Sequence, residues 1–273
     1  MTADEYLKQG NLKDALQALQ QQIRARPEHA EYRIFLFQLL VVLGQWERAL
    51  TQLNVIKDLD AAALAMVAMY KQVIACEQFR EAVFSGQSDP VVLGQPVEWL
   101  ALLQQALKLT AQGQYATSQE LRSRAFELAP SVSGVIDGTE FAWLADSDAR
   151  LGPVLEVMVE GRYLWVPFER ISKITIEPPT DLRDVVWLPA HFTWTNGGEY
   201  YGVIPTRYPG SYQSDDALLA LSRKTVWDGY DEELFLGRGQ KILTTDTADY
   251  PLLDVRSIHF NVAPDTVQEA TGG

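Results

Sequence analysis

The feature that most constrains this chain is a repeat with a period of 34 residues in its first half. Residues 10–16 (GNLKDAL) reappear as residues 44–50 (GQWERAL), with every matched position at the same offset. A third, weaker copy begins at Gly113 and has Ser118 where the other copies have alanine. Pro27 and Pro130 each lie 17 residues after the glycine of their repeat. This pattern is typical of tetratricopeptide-like helix pairs.

Each repeated position has a physical role in a pair of packed helices. The glycine ends the first helix, because it adopts the left-handed cap conformation without strain. The small side chain lets the second helix approach the first, and the proline stops the second helix because it has no amide hydrogen to donate. We therefore predict an all-α, tetratricopeptide-like repeat domain over residues 1–130, with a helical stretch at 61–86 and a loop at 85–96.

Repeats of this kind present the first helix of each pair on a concave surface, where side chains are free to contact a peptide or a helix. The predicted groove residues are Glu31, Ile34, Gln38, Val41, Leu100, Leu103 and Leu107. The alternative is that the apolar members pack on neighbouring helices. Leu103→Asp separates the two, since it weakens partner binding in an open groove but unfolds the domain if Leu103 is core. A leucine lining favours an amphipathic helix as the ligand over an acidic peptide.

The composition changes after Pro130, where helical periodicity gives way to short β-rich segments. Five of the seven Trp residues lie in this half. The turn Glu160-Gly161 separates two such segments and is typical of a hairpin. The strand candidates are residues 154–159, 162–166, 171–176, 185–188, 191–195, 200–204 and 252–260, and a short helix is predicted at 218–223. The predicted fold class is α+β, with an antiparallel sheet or a small barrel over residues 131–273.

The charge of the chain argues against several classes of partner. It has 23 basic and 36 acidic residues, a net charge of −13. Residues 1–130 contain 12 basic and 14 acidic side chains, whereas residues 131–273 contain 11 and 22. Because so acidic a second half repels phosphate, we expect no binding to nucleic acid or to a membrane surface. The single cysteine, the lack of a long apolar segment and the acidic N-terminus favour a cytoplasmic protein.

The densest polar cluster of the sequence contains Asp146, Asp148 and Glu156. Two carboxylates at alternate positions of an extended chain can bind a divalent cation or act in general acid–base catalysis. The alternative is an internal salt bridge to Arg150 that fixes the Gly-Pro turn beyond it. The three His residues are scattered, and no nucleophile or nucleotide-binding motif is present. The residues therefore predict no catalytic centre, no metal site and no cofactor.

Isolated arginines of the second half stand beside acidic or aromatic residues. Arg183 precedes Asp184, and Arg207 precedes Tyr208. Such arginines pair or stack inside a tryptophan-rich fold, or they form a site for a carboxylate, and both alternatives stay open here.

A series of motifs follows in one order along the second half. They are residues 138–156 (GTEFAWLADSDARLGPVLE), 161–168 (GRYLWVPF), 182–187 (LRDVVW), 204–211 (IPTRYPGS) and 253–256 (LDVR). Together with the helical repeats before them, these motifs resemble the ImpE/TagJ family of type VI secretion accessory proteins. The resemblance covers nearly the whole chain, and its signature residues include Asp146, Asp148, Arg150, Glu156, Arg183, Asp184, Arg207 and Tyr208.

The resemblance implies a cytoplasmic, non-enzymatic accessory component of a contractile secretion machine. It implies binding to the N-terminal helical segment of the small sheath subunit, of the TssB/VipA type, and a link to recycling by the ClpV ATPase. The signature residues lie mostly in the second half, so they either maintain its fold or form the partner site there, and we expect the first. Two other functions stay open: a metal-assisted hydrolase built on Asp146, Asp148 and Glu156, and a scaffold that self-associates through the open ends of its repeats.

Overall fold

Helices make up most of the first half of the chain. The computed structural model describes residues 1–95, 97–230 and 234–263. Its α-helices are α1 Ala3–Lys8, α2 Leu12–Ala25, α3 Ala30–Val42, α4 Trp46–Leu59, α5 Leu64–Phe84, α6 Glu98–Ala111, α7 Tyr115–Leu128 and α8 Ala217–Ala220. Within these ranges, no helix has both the length and the apolar character needed to cross a bilayer.

Three helix pairs, α1–α2, α3–α4 and α6–α7, turn at the three repeat glycines. Gly10, Gly44 and Gly113 have φ angles of 75°, 66° and 74°. After each glycine, the next amide donates to a carbonyl five residues earlier, as Gln45 does to Leu40 at 2.9 Å. This is the Schellman cap, in which a left-handed residue gives donors to the otherwise unpaired carbonyls of a helix end. The predicted tetratricopeptide-like geometry is therefore confirmed.

The small residue of each repeat lies where two helices touch. Ala15, Ala49 and Ser118 are each 0% exposed. The Ser118 hydroxyl donates to the carbonyl of Ala106 at 2.7 Å, so the third repeat replaces alanine by serine without leaving a buried hydroxyl unsatisfied. The second helices of the first and third repeats end two residues before the repeat prolines, as predicted.

Strands make up most of the second half. They are β1 Val91–Val92, β2 Gly134–Ile136, β3 Thr139–Phe141, β4 Leu144–Asp146, β5 Val154–Val159, β6 Arg162–Pro167, β7 Ile171–Ile176, β8 Trp187–Trp194, β9 Glu199–Pro205, β10 Thr225–Gly229, β11 Phe235–Gly239, β12 Ile242–Thr245, β13 Asp249–Pro251 and β14 Ser257–Phe260. Nine of them form a sheet in the order β1-β6-β5-β9-β8-β7-β14-β2-β3. The order β13-β12-β4 gives a three-stranded sheet, and β10 pairs with β11. β1 and β6 are parallel, and the other pairs are antiparallel.

The strands differ from the predicted ones in several respects, and β1–β4 and β10–β13 were not predicted. Residues 185–188 and 191–195 were expected as two strands, but one strand, β8, runs from Trp187 to Trp194 through Pro189. The predicted strand 252–260 divides into a 3-10 turn and β14. The large sheet is open in the described residues, since its order begins with β1 and ends with β3, so the small barrel is not the form adopted. The β5–β6 hairpin is confirmed, with Glu160 and Gly161 both at positive φ.

Two hydrophobic cores lie on opposite faces of the large sheet. Alternate residues of β5 face them: Val154 and Met158 face the core shared with the helices, and Leu155, Val157 and Val159 face the other core. The shared core joins the apolar faces of α1–α7 to the fully buried Trp165 and Trp187. The change of secondary structure between α7 and β2 is therefore not a break in packing.

We expect the separate segment 1–130 to lack a stable fold. In the full chain, the rings of Trp46 and Tyr70 lie 5.9 and 6.0 Å from Trp187, and Phe84 lies 6.3 Å from Trp165. Cutting at residue 130 exposes these rings to water, at a cost of about 25 cal/mol per Å² of apolar surface. Thermal unfolding followed by circular dichroism should show a broad transition well below that of the full chain. A cooperative transition at the melting temperature of the full chain would contradict a shared core.

Candidate functional site

The predicted groove face of α3 is covered by the chain's own second half. The side-chain amide of Gln38 donates to Asp181 at 3.1 Å, and its carbonyl accepts the amide of Leu182 at 3.0 Å. Arg207 donates to the backbone carbonyl of Val41 at 2.9 Å. The segment that begins at Asp181 therefore lies where a bound peptide was expected.

The structure corrects the prediction of an open groove. Five of the seven predicted residues are at most 6% exposed: Gln38, Val41, Leu100, Leu103 and Leu107. Glu31 is exposed and Ile34 is half-buried, and these two alone form no groove. The apolar face of a helix repeat must be covered by something, and here the same chain covers it. Leu103→Asp would accordingly disrupt the core rather than a binding surface.

Four cations and four anions form one connected cluster inside the protein. This ion cluster consists of Glu77, Arg80, Asp146, Asp148, Arg150, Glu156, Arg207 and Lys241. Arg207 joins it through its backbone carbonyl, which accepts from Arg80, while its guanidinium donates to backbone carbonyls. Its most exposed side chain is Arg150, at 11%. Five members are signature residues of the second half, whereas Glu77 and Arg80 come from α5. The charges balance, which limits the cost of placing ions in a medium of low dielectric constant.

Glu156 is the centre of the ion cluster. Arg80 donates to both of its carboxylate oxygens, at 2.6 and 3.1 Å, and to Glu77 at 2.9 Å. Lys241 donates to Glu156 at 2.9 Å and to Asp146 at 2.6 Å. A two-point contact between guanidinium and carboxylate is among the strongest and most directional ion pairs in proteins. This one joins α5 of the first half to β5 of the second.

The remaining carboxylates are also satisfied within the chain. Asp146 accepts the hydroxyl of Tyr208 at 2.9 Å on the oxygen that does not contact Lys241. Asp148 accepts Nε of Arg150 at 2.8 Å on one oxygen and the amide of Gly237 at 2.7 Å on the other. Neither group has an oxygen left without a donor.

The environment moves the pKa values of these carboxyl groups in opposite directions. Burial by itself would raise the pKa of Glu156, but the charges of Arg80 and Lys241 outweigh it and hold that pKa far below its usual value. Burial raises the pKa of Asp146 to about 6; Lys241 opposes the shift and Asp148 adds to it. Ionised Glu156 therefore stabilises the folded protein. This contribution is lost as the pH falls from the pKa of Glu156 in the unfolded chain towards its lower pKa in the folded protein. Asp146 binds its proton more tightly in the folded protein and acts in the opposite sense.

This geometry gives no support to the hydrolase alternative. Lys241, Arg150 and Arg80 occupy the positions beside Asp146, Asp148 and Glu156 that a metal cation would take. Across the part of the chain that the structure describes, no group of three or more His, Cys, Asp or Glu side chains could hold a metal ion.

The other signature residues also make internal contacts. Asp184 accepts the amides of Thr180 and Asp181 at 2.8 and 2.9 Å, which fixes the loop against α3. Arg183 lies 4.7 Å from the ring centre of Tyr70 and pairs with Asp181. Pairing and stacking, rather than a carboxylate site, is therefore the alternative that these arginines adopt.

Three members of the ion cluster were not predicted from the sequence: Glu77, Arg80 and Lys241. A signal for the first two was present, since they lie on the same face of α5 as the buried Val73 and Ile74. Opposite charges three residues apart on a buried helix face indicate partners elsewhere in the fold. Lys241 had no such signal in its local sequence.

An aromatic-walled surface is accessible on the outer face of the three-stranded sheet. A cleft of about 360 Å³ is lined by Phe126 and Trp143, and a cleft of about 630 Å³ is lined by Trp227 and Phe235. Ser147 and Thr244 line both clefts, so the two adjoin. We call this surface, defined by Phe126, Trp143, Ser147, Trp227, Phe235 and Thr244, the tryptophan face.

The fold and the site together define a class of protein. In this class, tetratricopeptide-like repeats are joined to a β-sheet half, and the charged signature residues make contacts inside the protein. Comparisons agree with this class. A tetratricopeptide repeat model matches residues 6–72, and a model described as ImpE protein matches residues 138–259. The chain is 50% identical over 260 residues to the type VI secretion system accessory component TagJ of Pseudomonas aeruginosa, across 95% of this chain and 91% of that protein. It therefore belongs to the ImpE/TagJ family of type VI secretion accessory proteins.

A solved structure shows the same fold. The crystal structure of protein VPA1032 from Vibrio parahaemolyticus is similar to this chain with a TM-score of 0.86 and 27% sequence identity. The similarity covers 94% of this chain and 97% of that one. Helical repeats and β-rich half therefore occur together, in the same arrangement, in a second protein.

We expect Arg80→Met to destabilise the protein by about 3–5 kcal/mol, because it leaves Glu156 and Glu77 buried without their partner. The matched control is Arg124→Met, which removes an exposed ion pair with Glu98 and should cost about 1 kcal/mol or less. Urea unfolding of both variants measures the difference. Equal effects of the two substitutions would show that the ion cluster does not hold the halves together.

Proposed function

We propose that this protein is a non-enzymatic adaptor of the type VI secretion system. In this proposal it binds the N-terminal helical segment of the small sheath subunit, of the TssB/VipA type, in the cytoplasm. The step it serves is sheath assembly or ClpV-dependent recycling. The observation that carries the proposal is that the signature charges of the ion cluster are buried and make contacts within the chain, while an apolar, aromatic-walled surface is accessible.

Two further properties support binding rather than chemistry. The helical repeats and the sheet share one core, so the surface of either half is held in a fixed shape. A preformed surface loses little conformational entropy when a partner binds, which favours affinity. The relative from Pseudomonas aeruginosa is described as an accessory component, which agrees with a supporting role.

The proposal predicts direct binding between the full chain and a synthetic peptide of the sheath small subunit's N-terminal segment. Isothermal titration calorimetry should give a dissociation constant in the micromolar range or below, with a negative heat-capacity change from burial of apolar surface. A peptide of the same composition in scrambled order is the control. Equal heats from both peptides, or no heat at millimolar peptide, would refute the proposed partner.

A further inference from the structure

We propose that the tryptophan face binds an amphipathic helix whose apolar ridge is flanked by Lys and Arg side chains. The inference rests on the proposed adaptor function and adds to it the location of the site and the charge of the partner. It moves the partner site from the predicted groove of the helical repeats to the three-stranded sheet of the second half and the neighbouring Phe126 of α7.

The distribution of tryptophan exposure is the first observation. Five of the seven Trp side chains are at most 7% exposed, whereas Trp143 and Trp227 are 39% and 38% exposed. These two line adjoining clefts, next to Phe126 and Phe235, which are 37% and 45% exposed. Exposed tryptophans beside a pocket are the residues that most often dominate the affinity of a protein interface.

The floor between the two aromatic walls suits a helix. On the sheet β13-β12-β4, Thr244 lies opposite Ala145 on one side and Asp249 on the other. Small side chains here let a helix approach the sheet closely. Three neighbouring strands span about 10 Å, which is close to the diameter of one helix. A helix lying across this floor presents one apolar side chain to each cleft.

The ion cluster supports the face from below. Asp146 and Asp148, whose oxygens are satisfied within the chain, are among the residues that line the Trp143 cleft. The ring of Trp227 lies 5.6 Å from that of Tyr208, which donates to Asp146. Through Tyr208, the buried ion cluster therefore supports the Trp227 wall from inside the protein, and a partner meets a preformed surface there.

Charge selects a cationic partner. Glu169 lines the Trp143 cleft and Asp249 lines the Trp227 cleft, and neither side chain has an ion pair or hydrogen bond within the described ranges. No Lys or Arg is among the described residues that line either cleft. Basic side chains along the edges of a bound helix would meet these two carboxylates, and a helix with acidic edges would be repelled.

Two other occupants fit this charge less well. Residues 264–273 contain Asp265 and Glu269 and no basic residue. A second copy would bring together two second halves that each contain 22 acidic and 11 basic residues. Like charges on both sides of an interface oppose association, so a separate, basic helix is the better match.

The test uses the full chain and two kinds of peptide probe. One probe is the sheath small subunit's N-terminal peptide. The other is a designed 16-residue helix with a leucine ridge, made with Lys or with Glu along its edges. Affinity is measured by calorimetry, and acrylamide quenching of tryptophan fluorescence reports whether the two exposed Trp side chains become covered. Trp143→Ala and Trp227→Ala are compared with Tyr201→Ala, which removes a side chain 81% exposed and outside both clefts.

We expect each tryptophan substitution to weaken binding of the Lys-edged helix at least tenfold, with Tyr201→Ala within twofold of the unchanged protein. Asp249→Lys should weaken it as well, and the Glu-edged helix should not bind. The melting temperature of each variant is measured first, and the exposure of these side chains predicts small changes. Lys-edged binding that is insensitive to both tryptophan substitutions, or equal binding of both designed helices, overturns the inference.

The two probes separate this inference from the proposed function. If the sheath peptide binds equally well to all variants, the result supports the proposed adaptor function and overturns the location of the site on the tryptophan face. If the designed helix binds and its binding depends on the two tryptophans, while the sheath peptide does not bind, the result supports the site and overturns the proposed partner. Failure of both probes overturns both proposals.

Discussion

The two-point contact between Arg80 and Glu156 is the interaction on which the rest of the structure depends. It joins the longest helix of the repeat half to β5, an interior strand of the large sheet, and each group is buried so completely that it must have its partner. Glu156 also holds Lys241, and Lys241 holds Asp146, so a single guanidinium connects α5 to the sheet β13-β12-β4. A chain of ions of this kind fixes geometry more than it adds stability, because desolvation offsets much of the Coulomb attraction.

Local signals in the sequence were sufficient for the helical half and for the hairpin. The repeat glycines, the small residue of each pair and the Glu160-Gly161 turn act over a few residues, so their patterns predict their structures. The prediction had two strands, 185–188 and 191–195, where the structure has β8 running through Pro189, and proline is unusual in an internal strand. The short strands β2, β3 and β4 leave almost no periodicity, and β2 and β4 pair with strands about 95 to 125 residues further along the chain. Such pairings depend on tertiary packing rather than on local preference.

The site was harder to predict than the fold, for a related reason. Leu103 and Val41 have the pattern of a ligand-binding face, but a pattern does not tell whether the covering surface belongs to another protein or to the same chain. Asp146 and Asp148 resemble a metal site until Lys241, which lies far along the sequence, is placed between Asp146 and Glu156. The resemblance to a family indicated that these residues matter, and the structure gives their role in holding the fold. Which two of seven tryptophans remain exposed is a tertiary property that composition does not contain.

The contact of Gln38 with Asp181 and Leu182 has a consequence for how the repeats can be used. This contact is made within one chain, so its effective local concentration is on the order of millimolar or higher. A free peptide that binds the same face of α3 must displace the segment that begins at Asp181. Its apparent affinity falls in proportion to the effective concentration of that segment. A tetratricopeptide fold is therefore no guide to peptide binding in this protein, because its own loop already saturates that face.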